Sequence, residues 1–246
     1  MSIGLALTMA ASAQDTTTRT LPAAMPALAV QGGRADVFIQ HTPEAASSTV
    51  TVTPLSWWDG CEVSFSGSHT EAIVAIVEDG EPASRACTAE ITLTLSGNTD
   101  VSIGLDRGTV QVDGLAGALS VNLGRGKVTG SPGSTTTVSL SIGRVELWDL
   151  TAPADIAVKY GTIDLTYAEM ISGTVAANTD IGLITTRFPY GIWLDTDVST
   201  GLGRKKQTIP SRTTASTHLD AASRVGSIRI APVITAPTAA PMASTD

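Results

Sequence analysis

Three arginines, each next to a glycine, recur 18 and 19 residues apart along the chain: Arg107, Arg125 and Arg144. If the segments that carry them stack on one another, their guanidinium groups would line one edge about 5 Å apart. A row of guanidinium groups can bind the carboxylates of anionic sugars, and polysaccharide lyases on β-helices use such cations together with acidic partners. The acidic residues close in register are Asp106, Glu146 and Asp164. The alternative is that these arginines only keep the turns soluble.

Other side chains that could catalyse a reaction or bind a ligand lack the neighbours that this chemistry requires. The histidines His41, His69 and His218 have no second ligand at a metal-binding spacing. The glycine-rich stretches 124–130 and 201–207 lack, respectively, the residues of a phosphate-binding loop and the third glycine of a dinucleotide fingerprint. No G-x-S-x-G elbow presents an activated serine. We therefore expect no cofactor, no metal site and no catalytic residues.

Two cysteines, Cys61 and Cys87, complete the candidate set. In an oxidising compartment they are compatible with one disulfide that closes a loop of about 26 residues. The alternative is a pair of buried thiols.

The sequence signal for the elements that position the arginines is a recurring glycine, followed two residues later by a branched apolar residue. These glycines lie 18, 17, 18 and 21 residues apart and then 44, a gap that Gly203 divides. They are Gly108, Gly126, Gly143, Gly161, Gly182 and Gly226. A short, nearly constant period predicts a stacked repeat, with each glycine at a turn that feeds a strand.

Apolar and polar residues alternate between the glycines, as expected for strands with one face in the core. This alternation predicts that Val121 faces inward. It predicts the same for Val138, Leu140 and Ile142. We expect each strand to pair with its equivalent one repeat further along the chain, which gives a β-solenoid. Caps are expected within 14–27 and at the last rung, near Ile230, because open sheet edges invite association.

Residues 103–130, IGLDRGTVQVDGLAGALSVNLGRGKVTG, resemble the bacterial putative-adhesin repeat family of envelope proteins. The resemblance covers about 29–230 and implies an all-β fold: a single right-handed β-solenoid with turns of about 17–23 residues. The motif consists only of turn glycines and strand apolars. This chain departs from it at the aspartate that often follows the turn glycine, where it has Thr109, Lys127, Arg144 and Thr162.

Composition limits the partners. The chain of 246 residues carries 23 acidic and 15 basic residues, a net charge of -8 that should repel nucleic acid and anionic lipid. No later run of 18 apolar residues could form an integral membrane span. The apolar segment 3–10 and the Ala-Ser-Ala that follows it match a signal peptide. We therefore predict export to the periplasm, the cell envelope or the medium.

Four segments follow: a signal peptide at 1–13, a lead-in or cap at 14–28, the solenoid at 29–231 and a disordered Pro/Ala/Thr-rich tail at 232–246. The leading hypothesis for function is a non-enzymatic envelope protein that presents a side surface to another protein or a glycan. The alternatives are a carbohydrate lyase or esterase on a β-helix, a structural spacer, and a component of envelope-stress signalling.

Overall fold

The computed structural model describes residues 15–22, 25–68, 70–78 and 86–233. The predicted signal peptide at 1–13, His69 and nearly all of the predicted tail lie outside these ranges. The described residues form an all-β structure without a helix, and so without one that could span a membrane. The strands are β1 (Thr17–Leu21), β2 (Ala27–His41), β3 (Ser48–Ser56), β4 (Cys61–Gly67), β5 (Glu71–Glu78), β6 (Thr88–Leu95), β7 (Asp100–Asp113), β8 (Leu119–Ser131), β9 (Thr136–Leu150), β10 (Ala154–Tyr167), β11 (Gly173–Phe188), β12 (Asp195–Gln207) and β13 (Thr217–Pro232).

Eight long strands form a parallel stack in the order β2, β7, β8, β9, β10, β11, β13, β12. We call each of them a rung. The turn glycines predicted from the sequence lie directly beside one another in this stack, and Ala35 takes their place in β2. The resulting glycine column is Ala35, Gly108, Gly126, Gly143, Gly161, Gly182, Gly226 and Gly203.

Each rung bends at the glycine column. In β7, Leu105 is buried before the glycine and Val110 is buried after it. These residues are an odd number of positions apart, so a straight strand would send them to opposite faces. Both arms can bury their apolar residues because the strand turns between them, and the buried side chains of the two arms form one hydrophobic core.

In the rungs other than β2, which has Ala35, glycine is required at the bend because the neighbouring rung comes very close. A Cβ atom built on Gly161 would lie 1.7 Å from the carbonyl oxygen of Gly143, and the φ angle of Gly161 is 154°. A side chain would clash with the backbone there and would also disfavour this conformation.

At the C-terminal end, the order of the rungs differs from the order of the chain. Strand β13 lies between β11 and β12, so the prediction that each rung pairs with the next repeat is wrong here. The sequence favours this order because β13 has an apolar residue, Ile228, where β12 has Lys205. Strand β12 therefore suits the outer edge, and a charged residue at a core-facing position protects such an edge from further pairing. The predicted cap near Ile230 is corrected accordingly: β12, and not the last rung, closes this end.

At the N-terminal end, too, the order of the strands in the sheet differs from their order in the chain. Strand β2 lies between β7 and a composite rung, in which β5 pairs with the first arm of β2 and β6 with the second. Strands β4 and β3 continue the sheet antiparallel to β5 and β6, and β1 pairs with β3 at the outside. Within the predicted lead-in at 14–28, residues 17–21 thus form an edge strand.

A disulfide joins Cys61, the first residue of β4, to Cys87, just before β6, with a Cα–Cα distance of 5.7 Å. The bridge predicted from the sequence is present. It ties the antiparallel end of the sheet to the composite rung.

We expect reduction of this disulfide to lower the melting temperature. On the chain-entropy model, a closed loop of this length stabilises the fold by roughly 3 to 4 kcal/mol, because the open chain gains freedom when it unfolds. Thermal melts with and without reductant test this, with the Cys61→Ser, Cys87→Ser double variant as control, since reductant should not change its melting temperature. Two titratable thiols in the exported native protein would contradict the prediction.

Candidate functional site

The residues that immediately precede the glycine column form a second row along the bend, which we call the corner column. Neighbouring members lie on adjacent strands, about 4.8 Å apart. Three arginines occupy one half and five apolar residues occupy the other. In stacking order the members are Arg34, Arg107, Arg125, Ile142, Tyr160, Ile181, Val225 and Leu202.

The structure brings together two of the three arginines singled out in the sequence. Arg107 and Arg125 are direct neighbours in register, whereas Arg144 follows its glycine and lies on the other side of the glycine column, beside Lys127. The single edge of three arginines is therefore completed by Arg34, not by Arg144. Sequence reasoning missed Arg34 because Ala35 replaces the glycine in that rung. The signal that remained was Val37, two residues after Ala35.

The two sets of cations differ in their partners. The carboxylate of Glu146 forms ion pairs with Arg144, at 3.3 Å, and with Lys127, at 3.7 Å. For the three corner-column arginines, no described carboxylate oxygen lies within 4.0 Å of the guanidinium nitrogens. The three arginines that are exposed and lack a described carboxylate partner are Arg34, Arg107 and Arg125. Like charges on adjacent strands repel one another, and a bound anion would relieve that repulsion.

Charge is segregated along the whole bend. Within two residues of the glycine column, the eight rungs hold nine of the fifteen Lys and Arg residues but only three of the twenty-three Asp and Glu residues. The cations are Arg34, Arg107, Arg125, Lys127, Arg144, Lys159, Arg204, Lys205 and Arg224, and the acids are Asp36, Asp106 and Asp180. An acidic protein thus has one cationic edge.

The apolar half of the corner column contains a correction. The alternation of the sequence predicted that Ile142 faces inward, but its side chain is 41% exposed. The inward face ends at Leu140, and the bend turns the next two residues outward. Ile142 therefore takes the register position that Arg125 has in the rung before.

The acidic residues proposed as partners of the arginines are divided between the two arms. Asp106 precedes the glycine column, whereas Glu146 and Asp164 follow it and are neighbours in register. Glu146 is engaged by two cations, as described above, and Asp164 pairs with Arg187. These carboxylates hold the second arms of adjacent rungs together and do not form one cluster with Arg107 and Arg125.

The histidines are also separated. His41 lies at the end of β2, while His218 forms a pair with Asp195, with 3.1 Å between Nδ1 and Oδ2. In the described ranges, no group of three or more His, Cys, Asp or Glu residues could hold a metal ion. Burial raises the pKa of Tyr167, whose ring stacks on Phe188 at 4.8 Å inside the core.

An open groove of about 680 Å³ runs beside the corner column on the first arms of β9–β13. Small residues such as Ala157 and Ala222 line it, and Lys159, Asp180 and Arg224 lie along the side nearest the bend. Arg224 pairs with Asp180 at 3.3 Å, which leaves Lys159 without a described carboxylate partner. The groove widens the surface available to a ligand along the cationic edge.

No protein-family model matches the chain, and no curated protein matches it. Its structure is similar to that of a putative adhesin from Bacteroides fragilis, with a TM-score of 0.51 and 14% identity over 90% of this chain and 98% of that one. A putative cell adhesion protein from Clostridium sporogenes gives a TM-score of 0.42 and 11% identity over 89% and 99% of the two chains. A putative adhesin from Parabacteroides merdae gives 0.39 and 11% over 91% and 98%. The Bacteroides protein shows a shared fold, and at that level the resemblance seen in the sequence is confirmed.

Proposed function

We propose that this chain is an exported, non-enzymatic β-solenoid that binds an acidic partner of the cell envelope along its cationic corner. The solenoid is right-handed, with turns of about 17–23 residues, and the partner is an acidic glycan or a protein with a comparable row of carboxylates. One observation carries the proposal: Arg34, Arg107 and Arg125 form a row on adjacent rungs, and none of them has a carboxylate partner among the described residues.

The spacing of this row favours a linear polyanion over a single small anion. Guanidinium groups about 4.8 Å apart present several donors in a line, and each can form a charge-assisted, bidentate contact with a carboxylate or sulfate. A polymer that carries charges along its length can use all three arginines at once.

Two further observations fit this function. The disulfide between Cys61 and Cys87 suits the oxidising conditions outside the cytoplasm. The fold is shared with a protein described as a putative adhesin, and an adhesin acts by binding a partner at a surface.

We expect the triple variant Arg34→Gln, Arg107→Gln, Arg125→Gln to bind polygalacturonate and heparin at least about tenfold more weakly than the native chain, because several charge-assisted contacts are lost. The side chains are exposed, so folding stability should change by less than about 0.5 kcal/mol per site. Titration calorimetry measures the affinity, and circular dichroism checks the fold. Native binding should also weaken with added salt, since exposed charges are screened over about 8 Å at physiological ionic strength.

The matched control is Lys127→Gln, Arg144→Gln, which removes two cations of the same edge that Glu146 already pairs. Its affinity should fall less than that of the triple variant. A native protein that binds neither polyanion would favour the spacer hypothesis. Binding that resists both the triple variant and salt would contradict the role of the arginine row.

A further inference from the structure

We propose that the apolar half of the corner column docks on an anionic lipid bilayer. This inference goes beyond polyanion binding, because it concerns different rungs and a different physical class of partner. It would stand even if the arginine row bound no glycan.

The first step is the exposure of this apolar row. Five consecutive rungs place an apolar side chain at the same outward register position, over a length of about 19 Å. Their exposed fractions are 41% for Ile142, 40% for Tyr160, 46% for Ile181, 36% for Val225 and 70% for Leu202. Leu183, two residues after Ile181, is a further 44% exposed. A continuous exposed apolar strip of this kind marks an interaction surface.

The row is specific to this register position. Three residues earlier on the same rungs, the outward side chains are small or polar. They are Ser139, Ala157, Asn178, Ala222 and Ser199. On the first arms of these five rungs, the exposed large apolar side chains are therefore all at the bend.

Cations flank the row on both sides. Lys159 and Arg224 precede it on their rungs, whereas Arg144 and Arg204 follow it beyond the glycine column. The ammonium nitrogen of Lys159 lies 5.6 Å from the centre of the Tyr160 ring. Glu146 pairs with Arg144 and Asp180 pairs with Arg224, whereas Lys159 and Arg204 have no described carboxylate partner. The strip is thus apolar along its middle, with unpaired cations on both of its edges.

This distribution favours a lipid surface over a second copy of the chain. Two copies that paired through the same strip would bring cations against cations, which opposes association. An anionic bilayer offers headgroup charges to the flanking cations and an apolar interior to the row.

The net charge of -8 does not prevent this contact. Charges are screened over about 8 Å at physiological ionic strength, so a surface senses mainly the nearest groups. Near the bend these are cations, because the eight rungs place only three acidic residues within two positions of the glycine column. The sequence-based expectation of repulsion from anionic lipid follows from the total charge, which ignores where the charges lie.

The test is vesicle flotation with the full chain. We expect the protein to float with vesicles of phosphatidylglycerol and phosphatidylcholine and not with phosphatidylcholine alone. The variant Ile181→Ser, Leu202→Ser should reduce the bound fraction at least about tenfold, because two apolar side chains are lost from the contact. The matched control is Leu55→Ser, Met170→Ser, which removes apolar side chains that are 56% and 63% exposed outside the row; its binding should be unchanged.

A second variant, Leu202→Trp, places a fluorophore in the row. Its emission should shift to shorter wavelength with phosphatidylglycerol vesicles, and lipids brominated in the acyl chain should quench it. Binding that depends on charge but not on Ile181 and Leu202 would overturn the proposal in favour of simple electrostatic adsorption. Self-association that requires the row without vesicles would overturn it in favour of a dimer interface.

The serine variant also separates this proposal from the proposed function. It retains the arginine row, so its affinity for soluble polygalacturonate should equal that of the native chain. The triple arginine variant retains the apolar row and should still shift the Leu202→Trp emission when the two changes are combined.

Discussion

Replacement of Val121 by aspartate is expected to abolish cooperative folding of the central rungs. Val121 is 2% exposed and lies in register between Ile103 and Val138, on the first arms of the rungs on either side. A carboxylate at this position would be buried between two apolar side chains without a partner, at a cost of several kcal/mol. This cost is comparable with the total stability of a typical domain, about 5–15 kcal/mol. Each rung is stabilised mainly by its neighbours, so the loss would extend to β7 and β9.

Thermal and urea denaturation followed by circular dichroism measure this effect. The control is Thr109→Asp, which adds the same carboxylate at a half-buried position next to the bend. The backbone N–H of Thr109 donates to Asp36 Oδ1 at 3.0 Å, and this donor is retained in the variant. The new carboxylate would lie in register between Asp36 and Lys127, so attraction to the lysine offsets repulsion from the aspartate. The control should change stability by less than about 0.5 kcal/mol. A larger loss for Thr109→Asp than for Val121→Asp would mean that the inward and outward faces had been exchanged.

Replacement of Gly161 by alanine is expected to destabilise the stack by several kcal/mol, although it adds only one carbon atom. The new Cβ atom would lie 1.7 Å from the carbonyl oxygen of Gly143, so the rungs would have to separate. That movement would break the hydrogen bonds on both sides of the bend, and the φ angle of 154° is itself unfavourable for alanine.

Gly104→Ala in β7 is the matched control. No described atom lies within 4 Å of a Cβ built on Gly104, so alanine fits without displacement. Its stability should be unchanged or higher, because alanine restricts the unfolded chain. Equal effects of the two substitutions in denaturant melts would show that the glycine column is not required for close stacking.

The sequence predicts the stacked glycines well because two independent signals coincide at them. A glycine is needed wherever rungs approach closely, and a branched apolar residue is needed two positions later to refill the core. The positions from Gly108 to Gly182 meet both needs, and they lie side by side in the structure. The disulfide could also be predicted, since only two cysteines are present.

The composition of the corner column was harder to predict. Alternation alone sends Ile142 inward, but the bend inserts an extra outward residue and changes the phase. Comparison with Arg125 would have found it, since each of the two directly precedes its glycine. A related ambiguity concerns Arg144 and Arg107, since both are adjacent to a glycine but lie on opposite sides of it, and adjacency alone does not distinguish the two sides.

The order of the last two rungs could not be obtained from periodicity, because β12 and β13 both carry a glycine at the expected spacing. What distinguishes them is the residue two positions later, Lys205 in one and Ile228 in the other. A lysine is tolerated at the end of a hydrophobic core, where its side chain can reach solvent, but not in the middle of the core. Which of the two strands pairs with β11 is therefore decided by the free energy of burying Lys205 or Ile228, and that difference matters only when both strands can occupy the place beside β11.

The insertion of β13 between β11 and β12 has a consequence for how the protein acquires its shape. From β7 to β11, an emerging chain can add one rung at a time, because each new strand finds an earlier rung already in place as its partner. Strand β12 must then wait for a partner, since the one described strand that pairs with it, β13, follows it in the chain. The pairing of β11 with β13 spans 44 residues between Gly182 and Gly226, yet each doubling of a loop costs only about 0.6 kcal/mol. Completion of the sheet thus depends on the order of synthesis more than on stability, because the C-terminal edge cannot form until β13 has been synthesised.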